Sequence, residues 1–97
     1  FTGKAKIISN DYEKAIISLS KNNERFDYIF ADPPYEKNLC SKTLNAIIEY
    51  DILKTGGLLI IESDKSEKVI DNNAVNVLEY KEKIYGRTKI IIRHLEE

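Results

Sequence analysis

"FDYIFADPPYEKN", residues 26–38, decides how the rest of this chain is read. From Phe26 to Ala31 nearly every position is apolar, aromatic or β-branched, which suits a strand covered on both faces, as in a parallel sheet between helices. The run reaches Asp32 and stops at two consecutive prolines. Pro33 and Pro34 each fix φ near −65° and donate no backbone hydrogen bond, so the turn is stiff while its carbonyls stay available as acceptors. Tyr35 follows with a flat apolar face and a polar tip.

Outward from this strand the elements alternate. Ala5–Ser9 is short and apolar enough for a strand. In residues 9–24 a helix is expected: Asn10 can cap it, Glu13 sits three residues on as in a capping box, and Tyr12, Ala15, Ile16 and Leu19 share one face. After the prolines, Cys40, Leu44, Ile47 and Ile48 recur at helical spacing. Gly56-Gly57 reads as the left-handed cap and turn that end this second helix, and "LLIIES", residues 58–63, as a third buried strand. Residues 65–73 are polar and loop-like. Residues 74–95 form two β-prone runs joined around Tyr85-Gly86-Arg87-Thr88, an antiparallel hairpin. The order β-α-β-α-β followed by β-β is that of a mostly parallel α/β sheet with a C-terminal antiparallel hairpin.

Composition sets limits on function. The chain has 97 residues, enough for a single domain, and its 42% apolar content is that of an ordinary globular protein. A net charge of −1 provides no global attraction to nucleic acid, so any basic surface is local. Cys40 is the only cysteine, which excludes an internal disulfide and a multi-cysteine metal cluster and makes a reducing compartment the default. No run approaches the roughly 18–20 apolar residues of a membrane span. The sequence begins at Phe1 and contains no methionine, and is therefore expected to be a processed product or a piece of something longer.

Ligands of open parallel sheets bind beyond the carboxyl ends of the strands, where Asp32 falls. A carboxylate, a rigid carbonyl and a ring together suit a planar group bearing –NH₂: two acceptors for its two N–H bonds and a surface to stack on. The plain alternative is that Asp-Pro starts a turn and Tyr35 is a half-buried aromatic.

"ADPPY" after "FDYIF" resembles the catalytic motif of amino-group methyltransferases that use S-adenosylmethionine. From about Gly3 to His94, the motif, "LKTGGLLIIES" and the "YGRT" hairpin together resemble the C-terminal half of the RsmD-type family, which methylates guanine N2 in small-subunit ribosomal RNA. The implied fold is a partial Rossmann-like methyltransferase fold over residues 1–97 that lacks the first two strands. The implied catalytic residues are Asp32, Pro33, Pro34 and Tyr35. Asp32 and the Pro33 carbonyl would accept the amine hydrogens, and Tyr35 would stack on a base swung out of its helix. Asp11 matches the position that holds the cofactor's adenine amine, and Tyr12 would flank that ring; Asp11 reads equally well as a helix cap beside Asn10.

The family's glycine-rich loop and the acidic residue ending its second strand have no counterpart, since Gly3, Gly56, Gly57 and Gly86 form no G-x-G pattern. Most of the S-adenosylmethionine pocket is thus expected to be missing, and the chain to be inactive alone. In the family's sheet the strand bearing Asp-Pro-Pro-Tyr pairs with one of the missing strands. Ala5–Ser9 is therefore expected either to cross over and pair with Phe26–Ala31, or to leave it as an apolar edge through which two copies dimerise. The implied partner is ribosomal RNA or the small ribosomal subunit, in the cytoplasm, with no membrane and no metal.

Lys81, Lys83, Arg87, Lys89 and Arg93 face only Glu82 in residues 80–94. Arg87 and Lys89, with Lys37 beside the motif, are the candidate RNA contacts; for most of the strip a solvated face of an edge hairpin is the simpler reading. His94 stands alone and reads as a surface histidine. Two other functions fit parts of the pattern. A DNA adenine-N6 methyltransferase also uses Asp-Pro-Pro-Tyr, but long target-recognition segments are absent from these residues. A noncatalytic RNA- or protein-binding module would keep the fold. Protein glutamine methylation fits less well, because such enzymes carry Asn where this chain has Asp32.

Overall fold

The computed structural model describes residues 3–8, 12–32, 39–67 and 77–95. Five strands and two helices follow in the order β1 (Ala5–Ile8), α1 (Tyr12–Lys21), β2 (Phe26–Ala31), α2 (Leu39–Glu49), β3 (Leu53–Asp64), β4 (Val77–Tyr85) and β5 (Thr88–Leu95). They form one sheet in the order β1-β2-β3-β5-β4. β1, β2 and β3 are parallel, and β5 runs antiparallel to both β3 and β4.

Of the two arrangements expected for the first strand, the crossing one is found. Ala5–Ile8 pairs with Tyr28–Ala31, so β2 has neighbours on both sides and is not an edge. Its anchor is local: the Lys4 N–H donates to Asp27 Oδ2 at 2.8 Å, and the Lys4 carbonyl accepts from the N–H groups of Asp27 and Tyr28. The hydrogen bond from the Lys4 N–H first, and then the Lys54 ammonium at 3.6 Å, hold the Asp27 carboxyl below the usual range.

Both helices stop by the same device. At α1, Asn23 has φ 56°, with Asn23 N–H bonded to Ser20 O and Glu24 N–H to Leu19 O. At α2, Asp51 has φ 55°, with Asp51 N–H bonded to Ile48 O and Ile52 N–H to Ile47 O. Each pair is a Schellman closure, and at α2 the accompanying apolar contact joins Ile47 and Ile52, both fully buried. Gly56-Gly57 is thus not the cap of α2, as the sequence suggested. The glycines lie inside β3, where Phe26 pairs with Leu53 but Tyr28 already pairs with Leu58. β3 bulges there, and Gly56 takes φ 85° in it.

Burial alternates along the strands. Ile29 pairs with Leu59, and Ala31, Ile61 and Ile91 stand in one row; all of these are buried. With Ile16, Leu19, Cys40, Leu44 and Ile47 of the two mutually packed helices they make the core. Burying each of these isoleucine and leucine side chains is worth about 1.5–3 kcal/mol. The opposite sheet face carries Tyr28, Phe30, Leu58, Ile60, Ile90 and Ile92, all only half-buried. The sequence suggested a β2 closed on both faces; among the described residues only one face is closed.

Candidate functional site

The carboxyl ends of β1, β2 and β3 lie together, as parallel pairing requires. Asp32 is the first residue past β2. Its N–H donates to the carbonyl of Ile8, the last residue of β1, at 2.9 Å, and its side chain is exposed. The backbone there is therefore fixed while the carboxylate faces solvent. Pro33, Pro34, Tyr35 and Lys37 lie outside the described residues, as do Asn10 and Asp11. Tyr12 opens α1 just beyond β1 and is half-buried against the core.

Beneath this end sits Cys40, in the first turn of α2 and fully buried. Its Sγ lies 3.8 Å from the Glu62 carbonyl. Burial first, and then the Glu67 carboxylate, push the thiol up to about 12, so it is a neutral packing group and not a nucleophile. The loop after β3 is tied down from two sides. Asp64 accepts hydrogen bonds from the Ser66 N–H (3.0 Å) and hydroxyl, and meets Arg87 Nη2 at 3.5 Å. The Ser66 bonds, with the cations Arg87 and Lys65 as lesser causes, hold the Asp64 carboxyl below its ordinary range. The Lys65 N–H donates to the Arg87 carbonyl at 2.8 Å, which joins this loop to the hairpin tip.

The basic residues of the hairpin part company. Strand pairing puts Lys81 beside Ile92 and Lys83 beside Ile90 on the half-buried face, and both lysines are exposed. Arg87 is exposed at the tip. Lys89 and Arg93 instead point to the helix-covered face and are 7% and 6% exposed. The Lys89 ammonium donates to the Glu67 carbonyl and lies 3.8 Å from Glu82 Oε1. Lys89 is an internal tie between hairpin and loop, and the geometry gives it no exposed cation for RNA, against the role expected from sequence. Lys81 and Lys83 are solvated, as the simpler reading expected, whereas Lys89 and Arg93 are buried. His94 is half-buried on the open face.

The Asp64–Ser66 turn and the hairpin groove were missed by sequence reasoning. "DKS" carries the Asx-turn signature that could have found the former. The surface cavities lined by described residues include one of about 350 Å³ along α1 at Lys14, Ile17, Ser18, Lys21 and Asn22, and one of about 190 Å³ on the hairpin. Neither is lined by Asp32. No helix of the described residues is long and apolar enough to cross a membrane.

For an S-adenosylmethionine site the fit is partial. Asp32 and Tyr12 stand at the carboxyl ends of β2 and β1. The glycines are otherwise committed: a Cβ on Gly3 would lie 3.0 Å from the Asp27 carboxylate, Gly57 abuts two backbone carbonyls, and Gly86 turns the hairpin. None makes a loop between a parallel strand and a helix.

Comparison with known proteins agrees with this architecture. The model of a family described as "Conserved hypothetical protein 95" matches residues 1–94. "Putative rRNA methyltransferase YlbH" of Bacillus subtilis is 32% identical over 91 residues, covering 94% of this chain and 49% of that protein. "Ribosomal RNA small subunit methyltransferase D" of Buchnera aphidicola is 36% identical over 48 residues, 50% of this chain and 25% of that protein. Among solved structures, "putative methylase HI0767" of Haemophilus influenzae superposes with a TM-score of 0.67 at 28% identity, covering 76% of this chain and 41% of that one. The chain thus spans half or less of the length of these relatives.

Proposed function

The chain belongs to the Conserved hypothetical protein 95 family, and on that premise we propose that it is the motif-bearing half of a methyltransferase. Its reaction would be S-adenosylmethionine-dependent methylation of the exocyclic N2 amine of a guanine in small-subunit ribosomal RNA. The observation that carries the reading is Asp32. It is exposed, at the carboxyl end of a strand flanked by two parallel neighbours, and its backbone is held by Ile8. The names of the relatives, which refer to ribosomal RNA methylation, support the substrate class.

In this reading the Asp32 carboxylate and the Pro33 carbonyl accept the two amine N–H bonds. That turns the nitrogen lone pair out of conjugation with the ring and toward the methyl group. Tyr35 stacks on the extruded base, and Asp32 stabilises the charge that grows on nitrogen. The cofactor, when bound, supplies an electrophilic methyl on sulfonium. Asp11 and Tyr12 would hold its adenine, and the methionine end would be held by residues outside this chain. Rate then comes chiefly from positioning and electrostatics. A cofactor site shared in this way implies that the chain alone has no measurable heat of binding to S-adenosylhomocysteine.

The test is methyl transfer by the intact protein onto small-subunit ribosomal RNA, followed by nucleoside mass spectrometry. Asp32→Ala should lower the rate by roughly 10²–10³-fold, the usual cost of one preorganised electrostatic partner, without loss of fold. N2-methylguanosine should be the product. N6-methyladenine would move the enzyme to the adenine class, and undiminished RNA binding with no transfer by the wild type would make the chain part of a binding module.

A further inference from the structure

We propose that the hairpin groove lined by Lys81, Lys83, Tyr85, Ile90 and Ile92 is a subsite for single-stranded RNA. One base would lie against Tyr85 and the isoleucines, with the phosphates on either side of it at the two lysines. This deepens the reading above and rests on it, since it takes RNA as the substrate.

Three observations lead here. The groove is about 190 Å³, the volume of roughly six liquid waters, which suits one planar base and not a folded partner. Its composition is also uneven in a telling way. The floor is apolar, from Ile90 and Ile92, the wall is the ring of Tyr85, 58% exposed, and the rim is two exposed ammonium groups. Neither Lys81 nor Lys83 has an ion-pair partner among the described residues, whereas Lys89, one row away on the other face, is tied to Glu82 and Glu67. An aromatic platform with unneutralised cations beside it is the combination that binds single strands: stacking accepts any base, and the charges track the backbone.

The third observation is position. Lys83 pairs with Ile90, and Ile90 with Glu62. One residue beyond the Ala31–Ile61 pair, Asp32 falls in that same cross-strand row. Three strand spacings separate Asp32 from Lys83, about 14 Å, so a nucleotide in the groove belongs to the same RNA segment as a base at Asp32. Glu62 lies between them and repels phosphate, so the sugar–phosphate backbone must keep to the lysine side of the row.

The experiment is fluorescence anisotropy of this chain with a fluorescein-labelled single-stranded RNA oligonucleotide, titrated across salt. Lys81→Gln with Lys83→Gln should weaken binding and make the slope of log K against log salt shallower by about 1.4, two phosphates at roughly 0.7 each for a single strand. Tyr85→Ala should weaken binding roughly 5- to 150-fold, the equivalent of losing one stacked base, and Tyr85→Phe should restore it. Lys14→Gln with Lys21→Gln, on the α1 cavity, should change nothing. All these side chains are exposed, and circular dichroism of each variant should match the wild type. The proposal is overturned by an unchanged slope, by Tyr85→Phe failing as Tyr85→Ala does, by no binding of the wild type at low salt, or by polyglutamate competing as well as RNA. Failure here is separable from failure of the enzymatic reading. Unchanged affinity in the groove variants, with transfer still lost in Asp32→Ala, removes the groove alone. Transfer that survives Asp32→Ala removes the mechanism and leaves the groove standing.

Discussion

Replacing Gly57 by alanine should cost more stability than replacing its neighbour Gly56, although Gly56 has the unusual backbone. At Gly57 an added Cβ would stand 2.8 Å from the Lys54 carbonyl, 2.9 Å from the Asp27 carbonyl and 2.8 Å from Leu53 Cδ1. The leucine methyl can move, at some cost in a core where Leu53 is 2% exposed. The carbonyls cannot, because one belongs to the bulge and the other to the neighbouring strand. Relieving two backbone contacts means separating β2 from β3, which puts Gly57→Ala at or above the upper end of overpacking costs, about 3 kcal/mol. At Gly56 nothing lies within 4 Å and only φ, 85°, opposes a side chain, a cost of about 1–2 kcal/mol. In urea, with a slope of about 2 kcal/mol/M, Gly57→Ala should lower the midpoint by about 1.5 M and Gly56→Ala by about half as much. A midpoint for Gly57→Ala equal to or above that of Gly56→Ala would refute the close approach of the two strands at the bulge.

Three further outcomes are expected. Ile47→Ala, fully buried, should cost about 2–5 kcal/mol, whereas Ile7→Ala, 73% exposed on β1, should stay within about 0.5 kcal/mol; similar urea midpoints for the two would contradict the one-sided core. The Cys40 thiol should resist Ellman's reagent in the folded chain and react once guanidinium unfolds it. Because its folded value is raised from 9.0 to about 12, the stability it contributes is whole below 9.0 and is lost as pH rises toward 12; melting across that range should show a larger loss in the wild type than in Cys40→Ala. Asp64 is depressed instead, so its contribution is present above its unfolded value of 3.8 and is lost as pH falls through the folded one; Asp64→Asn should flatten the acid limb of the melting curve, and an unaltered limb would count against the Ser66 and Arg87 contacts.

Much of this arrangement is legible from residue pattern. The strand of residues 26–31, both helices, the third strand and the terminal hairpin all follow from periodicity and turn chemistry, and so does the place of Asp32 at the carboxyl end of that strand. Besides the open face of β2, two elements were misjudged for definite reasons. A glycine pair after a helical pattern looks like a cap, but Asn23 and Asp51 accept positive φ well enough to close both helices without it, which leaves the glycines free for a bulge. The basic strip was read as one feature because sequence shows charge and not facing. Alternation along β5 sends Lys89 and Arg93 inward, so the strip is two sets of cations on opposite faces of the hairpin.

That division bears on how an RNA site could be assembled on this sheet. Lys89 joins β5 to the Glu67 loop, and Arg87 joins the hairpin tip to Asp64, so the hairpin's position relative to the end of β3 is set by cations turned inward or neutralised. β3 in turn pairs with β2 up to Ala31. The chain of contacts from Asp32 through β3 and β5 to Lys81 and Lys83 is thus made of backbone ladders closed by ion pairs, with no long flexible segment among the described residues that form it. Two exposed lysines and a tyrosine at fixed distance from an exposed carboxylate can orient a strand as well as attract it. Orientation is what methyl transfer by positioning requires, because an amine misplaced by about 1 Å forfeits on the order of 10²-fold in rate. Were Lys81 and Lys83 mere solubilising charges on an edge strand, nothing would couple their removal to the transfer proposed for Asp32. If they orient RNA, their loss should reduce transfer at saturating substrate as well as weaken binding.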